Sequence, residues 1–236
     1  MTNGTVDISP RTAARIAGVG YLVIIIAGLF AEFFVRSELI VRGNAAATAG
    51  NIIASEGLFR VGIAADTVML VFDILVALAL YVLLRPVNKD IALLAAFFRL
   101  VHAAVSGVNL LNMLFVLPLL GQTGYPVAFD PSQLHALALL FLNAHNYGYL
   151  IGLVFFGIHC LILGYLILKA GFIPKILGIL MILASAGYLI DSFANFLLIN
   201  YADYAAVFLA IVAVPAITAE LSFCLWLLFQ GGKVRP

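Results

Sequence analysis

Long apolar runs separated by short polar links dominate the chain, and six are long enough to cross a bilayer, which takes about 20 residues. They predict helical spans over 12–36, 57–84, 91–118, 147–168, 174–198 and 205–230. The links Arg85–Asp90 and Lys169–Ile173 are short, so the spans they join are expected to be antiparallel neighbours. The link GQTGYPVAFDPSQ carries two prolines and two glycines and reads as a true loop. It ends in Asp130-Pro131, an N-cap followed by a first-turn proline, so the fourth helix is expected to begin near Pro131 and to project beyond the bilayer. The segment GNAAATAGNIIASE is too polar to span, and Asn44 is placed to cap a short interfacial helix there.

Composition agrees with that reading. Of the 236 residues, 65% are hydrophobic and 10% charged, whereas soluble domains carry about 25% charged residues. The expected fold is an all-α, polytopic transmembrane helix bundle of six spans, one transmembrane domain over residues 1–236, with membrane lipid as its surroundings. Arg11 and Arg15 precede the first apolar run as they would in a signal peptide, but the run is long and more spans follow, so it reads as an uncleaved span. A net charge of +1 without a basic run excludes nucleic acid as a partner. Cys160 and Cys224 both fall in apolar stretches and read as small buried hydrophobes. The fragment Gly-Tyr-Leu recurs at Gly20, Gly148, Gly164 and Gly187, where the small residue is expected to let helices approach closely.

Polar groups inside the spans are the candidates for function, because an intramembrane charge is costly. Counted from the end of each span nearest the termini, Asp73, His102, His159 and Glu220 lie about 15–16 Å deep and Arg99 about 12 Å. These five form a candidate midplane ligand site. A second, outer set, Asp66, Asn109, Asn112, His145, Tyr149, Asp191 and Asn195, is expected to form an outward-facing polar pocket that binds ligand, with Glu32 and Arg60 at that level or beyond. His145 and His159 are fourteen residues apart on one helix, so they share a face about 21 Å apart. One face of that helix is expected to line a polar interior.

Several chemistries suit this pattern. Two histidines so spaced on one helix are an arrangement used by membrane cytochromes b, and His102 could face His159 across one haem. The corresponding partner position for His145 is Val116, which leaves a two-haem site incomplete. His102, His159, Asp73 and Glu220 offer nitrogen and oxygen ligands suited to zinc or iron, although no HExxH spacing tightens them and Arg99 would repel a cation. Ser106 is one turn from His102 but lacks the GxSxG context of a nucleophile. The plain structural alternative pairs Arg99 with Asp73 or Glu220 and uses Asn109, Asn112, Asn195 and Ser106 as interhelical hydrogen-bond donors and acceptors. One arginine with two acids leaves one carboxylate over, to be protonated, bound to a cation or hydrogen-bonded to histidine.

The stretches RTAARIAGVGYLVIIIAGLFAEFFVRSELI, ASEGLFRVGIAAD, FRLVHAAVSGVNLLN, NYGYLIGLVFFGIHCLILGYLI and GYLIDSFANFLL together make the chain resemble the bacterial multi-pass membrane proteins grouped as domain of unknown function 4386. The resemblance runs from about Arg11 to Gly231. It implies a bacterial inner-membrane location and a six- or seven-span unit, and it implies no activity, cofactor or catalytic residue. A looser likeness to intramembrane metal hydrolases lacks their paired HxxxH motif. The functional expectation is an integral inner-membrane protein whose polar interior binds a small ligand, ion or lipid head group. The alternatives are a membrane-embedded, metal-dependent enzyme acting on lipid, and an accessory subunit of a larger membrane complex. A homo-oligomer or a membrane partner is part of the expectation.

Orientation follows from Lys and Arg. With six spans, Arg11, Arg15, Arg85, Lys89, Lys169, Lys175, Lys233 and Arg235 fall on one side, and Arg36, Arg42 and Arg60 on the other. The positive-inside rule therefore predicts that both termini are cytoplasmic. Reporter fusions at either end should be active only in the cytoplasm; periplasmic activity at both ends would refute this.

Overall fold

A computed structural model describes residues 8–121 and 129–231. Lys233, Arg235 and positions 122–128 of the long link lie outside the described residues. The helices are α1 (Pro10–Leu39), α2 (Ala45–Ala54), α3 (Glu56–Leu84), α4 (Lys89–Leu120), α5 (Pro131–Lys169), α6 (Lys175–Leu197) and α7 (Tyr201–Phe229). All but α2 are long and apolar enough to span, which makes six candidate spans among the described residues. The described residues contain no strand. In lipid, a helix satisfies its backbone groups within itself, which is why apolar segments of this length take that form.

The helix ends follow local chemistry. Ser9 caps α1, its Oγ accepting from the Thr12 N–H at 3.2 Å, and Pro10 opens the helix where a missing N–H costs nothing. Asn44 caps α2 through the Ala47 N–H at 3.0 Å. Asn88 caps α4 through the Ile91 N–H at 3.0 Å. Helix α5 begins at Pro131 as expected, and the Gln133 side chain accepts from the Asp130 N–H at 3.0 Å. At 39 residues, α5 is much longer than the span predicted from hydropathy alone, because the capped start lies well before the apolar run. Helix α1 contains a π-helical stretch, Phe30–Arg36, and α7 opens with a 3-10 turn, Tyr201–Tyr204.

The described residues divide into two compact units. The first draws on residues 8–22, 72–102 and 153–231, the second on residues 23–71, 103–121 and 129–152. In the first unit α6 packs along α7, and Gly187 sits so close to the Ile211 carbonyl that an added Cβ would lie 2.6 Å from it. Between α5 and α6, Gly164 and Gly178 face one another in the same way. A Cβ on Gly164 would lie 2.7 Å from the Gly178 oxygen. The second unit has its own apolar core, which includes Val35, Ile52, Phe59, Met113 and Val116. Helix α2 joins that core through Ile52, and its buried Thr48 exchanges hydrogen bonds with the Val41 backbone at 3.0 and 3.1 Å.

The backbone contact at Gly164 generates a stability prediction. Gly164→Leu should lower stability by about 1–3 kcal/mol, because neither backbone can move aside without losing packing. Gly50→Ala, at a helical position with open space around it, should be neutral or slightly stabilising. Thermal unfolding in detergent compares the two; equal melting temperatures would contradict the close approach.

Candidate functional site

In the first unit, four helices bring one ion pair together. Arg99 of α4 is 0% exposed, and its NH2 donates to Asp73 Oδ1 of α3 at 2.6 Å. Its NH1 donates to the Tyr21 hydroxyl of α1 at 2.9 Å and reaches His159 Nε2 of α5 at 3.2 Å. A guanidinium can only donate, so His159 Nε2 accepts. The other ring nitrogen, Nδ1, lies 2.8 Å from the Ala95 carbonyl, which can only accept. The histidine is thereby fixed as the neutral Nδ1–H tautomer, with both nitrogens engaged. A haem iron at His159 would have to break one of these bonds, so the residues present do not fit the haem reading. The guanidinium carbon also lies over the Tyr21 ring at 4.8 Å and the Phe156 ring at 5.3 Å. Arg99 Nε, in contrast, is buried and makes no hydrogen bond.

The remaining midplane candidates sit around this pair. His102 Nε2 is 3.9 Å from Asp73 Oδ2, and its ring lies 5.0 Å from Phe156. Phe156 meets Tyr188 edge-on at 5.4 Å, and the Tyr188 hydroxyl donates to Glu220 Oε1 at 2.5 Å. Glu220 is half-buried. Among the described residues it forms no ion pair, and the bond from Tyr188 is its hydrogen bond. The pairing of Arg99 therefore goes to Asp73, and Glu220 is the carboxylate left over. No group of three or more His, Cys, Asp or Glu among the described residues is arranged to hold a metal ion.

Sequence reasoning missed Tyr21, Tyr188 and Phe156. A signal for the tyrosines existed in the repeated Gly-Tyr-Leu fragment. Gly20 and Gly187 are at close helix contacts, and the tyrosine that follows each of them supplies a hydroxyl, to Arg99 and to Glu220 respectively.

The outer candidates divide between the units. In the second, buried Asp66 accepts from Arg36 NH1 at 2.7 Å, and Arg36 Nε donates to Glu32 at 2.8 Å. Arg36, which entered the sequence reading only as a marker of orientation, is thus the counter-charge of Asp66. Asn109 Nδ2 donates to the His145 carbonyl at 2.8 Å, and Asn112 Nδ2 donates to Asn109 Oδ1 at 2.9 Å. These amides satisfy one another and the backbone, as interhelical donors and acceptors do. Tyr149 is exposed on α5. Arg60 is exposed and paired with Glu56 one turn earlier at 2.7 Å. In the first unit, buried Asp191 accepts from the Tyr201 hydroxyl at 2.6 Å, and Asn195, one turn on, is half-buried.

Six apolar spans with paired charges inside them describe a multi-pass membrane protein. Residues 16–231 match the family described as Domain of unknown function (DUF4386). The chain belongs to the DUF4386 family. An uncharacterized protein of Archaeoglobus fulgidus is 33% identical over 166 residues, covering 70% of this chain and 81% of its own. No solved structure matches the chain.

Within this DUF4386 chain, the buried pair gives a sharp expectation. Asp73→Ala or Arg99→Ala alone should cost about 3–5 kcal/mol, because each strands an uncompensated charge. The double change Arg99→Met with Asp73→Leu should recover much of that loss. Thermal unfolding of the purified variants is the check; a double variant as unstable as the singles would show that packing, not charge balance, sets the requirement.

Proposed function

We propose that this is an inner-membrane protein, one transmembrane domain with both termini cytoplasmic, whose polar core binds a small ion. The bound species is a proton or a small cation, and Glu220 is the group that takes it. The observation that carries this reading is the charge balance. The spans of the first unit carry Arg99, Asp73 and Glu220 at similar depth by residue count, and Asp73 alone sits on the guanidinium. Glu220 feels the Arg99 charge at a distance, and its direct contact is a hydrogen bond from a neutral hydroxyl. A carboxylate in a span without a basic partner is stable when it is protonated or when a cation sits on it. Glu220 is less deeply buried than Arg99 and His159.

Asp73, Arg99, His102 and His159 serve that site by fixing its surroundings. The guanidinium supplies a permanent positive field, and Asp73 limits it. His159 keeps one tautomer and so holds the guanidinium in place. His102 is the remaining imidazole of the set, 3.9 Å from Asp73. In the alternative of a metal-dependent enzyme acting on lipid, His159 is a poor ligand, because its Nε2 lone pair is engaged by Arg99.

The chain carries its own reporter. Trp226, the single tryptophan, stacks with Phe223 at 6.3 Å, and Phe223 meets Tyr21 edge-on at 5.8 Å. Trp226 emission should respond when protons or small cations are titrated onto purified protein. Glu220→Gln should weaken that response about tenfold or abolish it while leaving the melting temperature near the parent value. A Glu220→Gln protein that responds as the parent does, or a parent with no response to any ion, would overturn the reading.

A further inference from the structure

We propose that the end of the first unit formed by the α3–α4 and α5–α6 links binds an anionic phospholipid through its phosphate. This inference is independent of Glu220. A cleft of about 480 Å³ opens there, lined by Pro86, Val87 and Asn88 of one link and by Tyr165, Lys169 and Phe172 at the other. No carboxylate lines it.

Three observations point to a lipid phosphate. The first is level. Two spans end at Leu84 and Lys169, and two begin at Lys89 and Lys175, so the cleft lies where apolar helix gives way to polar chain, at the depth of lipid headgroups. The second is charge. The two links and the start of α6 just after the second carry Arg85, Lys89, Lys169 and Lys175 against one acid, Asp90, a net of +3 (4 − 1). Basic clusters beside spans attract anionic lipids, with a gain of about fivefold in binding for each Lys or Arg near the surface. The third is shape. Lys169 Nζ rests 5.8 Å from the centre of the Tyr165 ring, so its charge is held beside the cleft. Tyr165 and Leu161, one helical turn apart on α5, are both 44% exposed and continue from the cleft along the apolar surface of the span. A headgroup phosphate at Lys169 would place an acyl chain along that stripe. Tyrosine and lysine side by side at a span end are the pair that anchors to an interface.

The test uses native mass spectrometry of the full chain in detergent, with phosphatidylglycerol and phosphatidylcholine of matched acyl chains offered together. The parent should retain phosphatidylglycerol about tenfold over phosphatidylcholine. Lys169→Gln, an exposed change that leaves folding intact by thermal melt, should cut the preference to about twofold. Arg60→Gln, at an exposed position of α3 outside the two links, should leave it unchanged. Inorganic phosphate in large excess should not displace the lipid. Equal retention of the two lipids, a preference that survives Lys169→Gln, or displacement by inorganic phosphate would each overturn the proposal, the last by assigning the cleft to a soluble anion.

Discussion

Arginine cannot be neutralised by giving up its proton, so a guanidinium fixed inside a membrane span must be matched by its surroundings. Arg99 imposes that condition on the first unit. Its match is distributed over four helices: the carboxylate of Asp73, the hydroxyl of Tyr21, the imidazole of His159 and the aromatic faces of Tyr21 and Phe156. Each contact fixes the helix that supplies it, so the relative rotation of α1, α3, α4 and α5 within that unit is tied to one side chain. A hydrophobic core tolerates a small rotation by repacking; a guanidinium with hydrogen-bond partners in three directions does not. The unpartnered Nε is the remaining polar liability, since a buried N–H without an acceptor costs about 1–3 kcal/mol.

The Gly-Tyr-Leu fragment connects helix packing to this charge chemistry. Glycine removes the Cβ that would strike the neighbouring helix, and the following tyrosine combines an apolar ring with a polar tip. Gly20-Tyr21 packs against Val76 and delivers a hydroxyl to Arg99. Gly187-Tyr188 packs against the α7 backbone and delivers a hydroxyl to Glu220. Gly164-Tyr165 approaches Gly178, and its ring lies beside Lys169. In the second unit, Gly148 makes room for the Asn109 amide. The small residue sets how near two helices come, and the tyrosine turns that nearness into a polar contact.

The second unit meets the same constraint with different geometry. Arg36 lies at the end of the π-helical stretch of α1 and bridges Glu32 on its own helix to buried Asp66 on α3. π-helical turns inside α-helices are rare and frequently sit at functional sites. Here the bridge compensates Asp66, while Glu32 stays largely exposed.

The sequence alone determined the number of spans, their approximate limits, the capped starts at Pro131 and Ala45, and the set of polar groups that had to be explained. Those features follow from hydropathy, length and local capping, which act within a few turns of chain. It also foresaw that Arg99 would need an acid, because the cost of an unpaired charge does not depend on where the partner comes from. Tertiary structure alone decided that the acid is Asp73, that Glu220 is left to Tyr188, and that Arg36 belongs with Asp66. Depth along a helix is readable from a count of residues, but rotation about its axis is not. The 3.6-residue period that usually reveals a helix's inward face fades when lipid and protein interior are equally apolar. Only the packed helices show which residues at a given depth point toward one another.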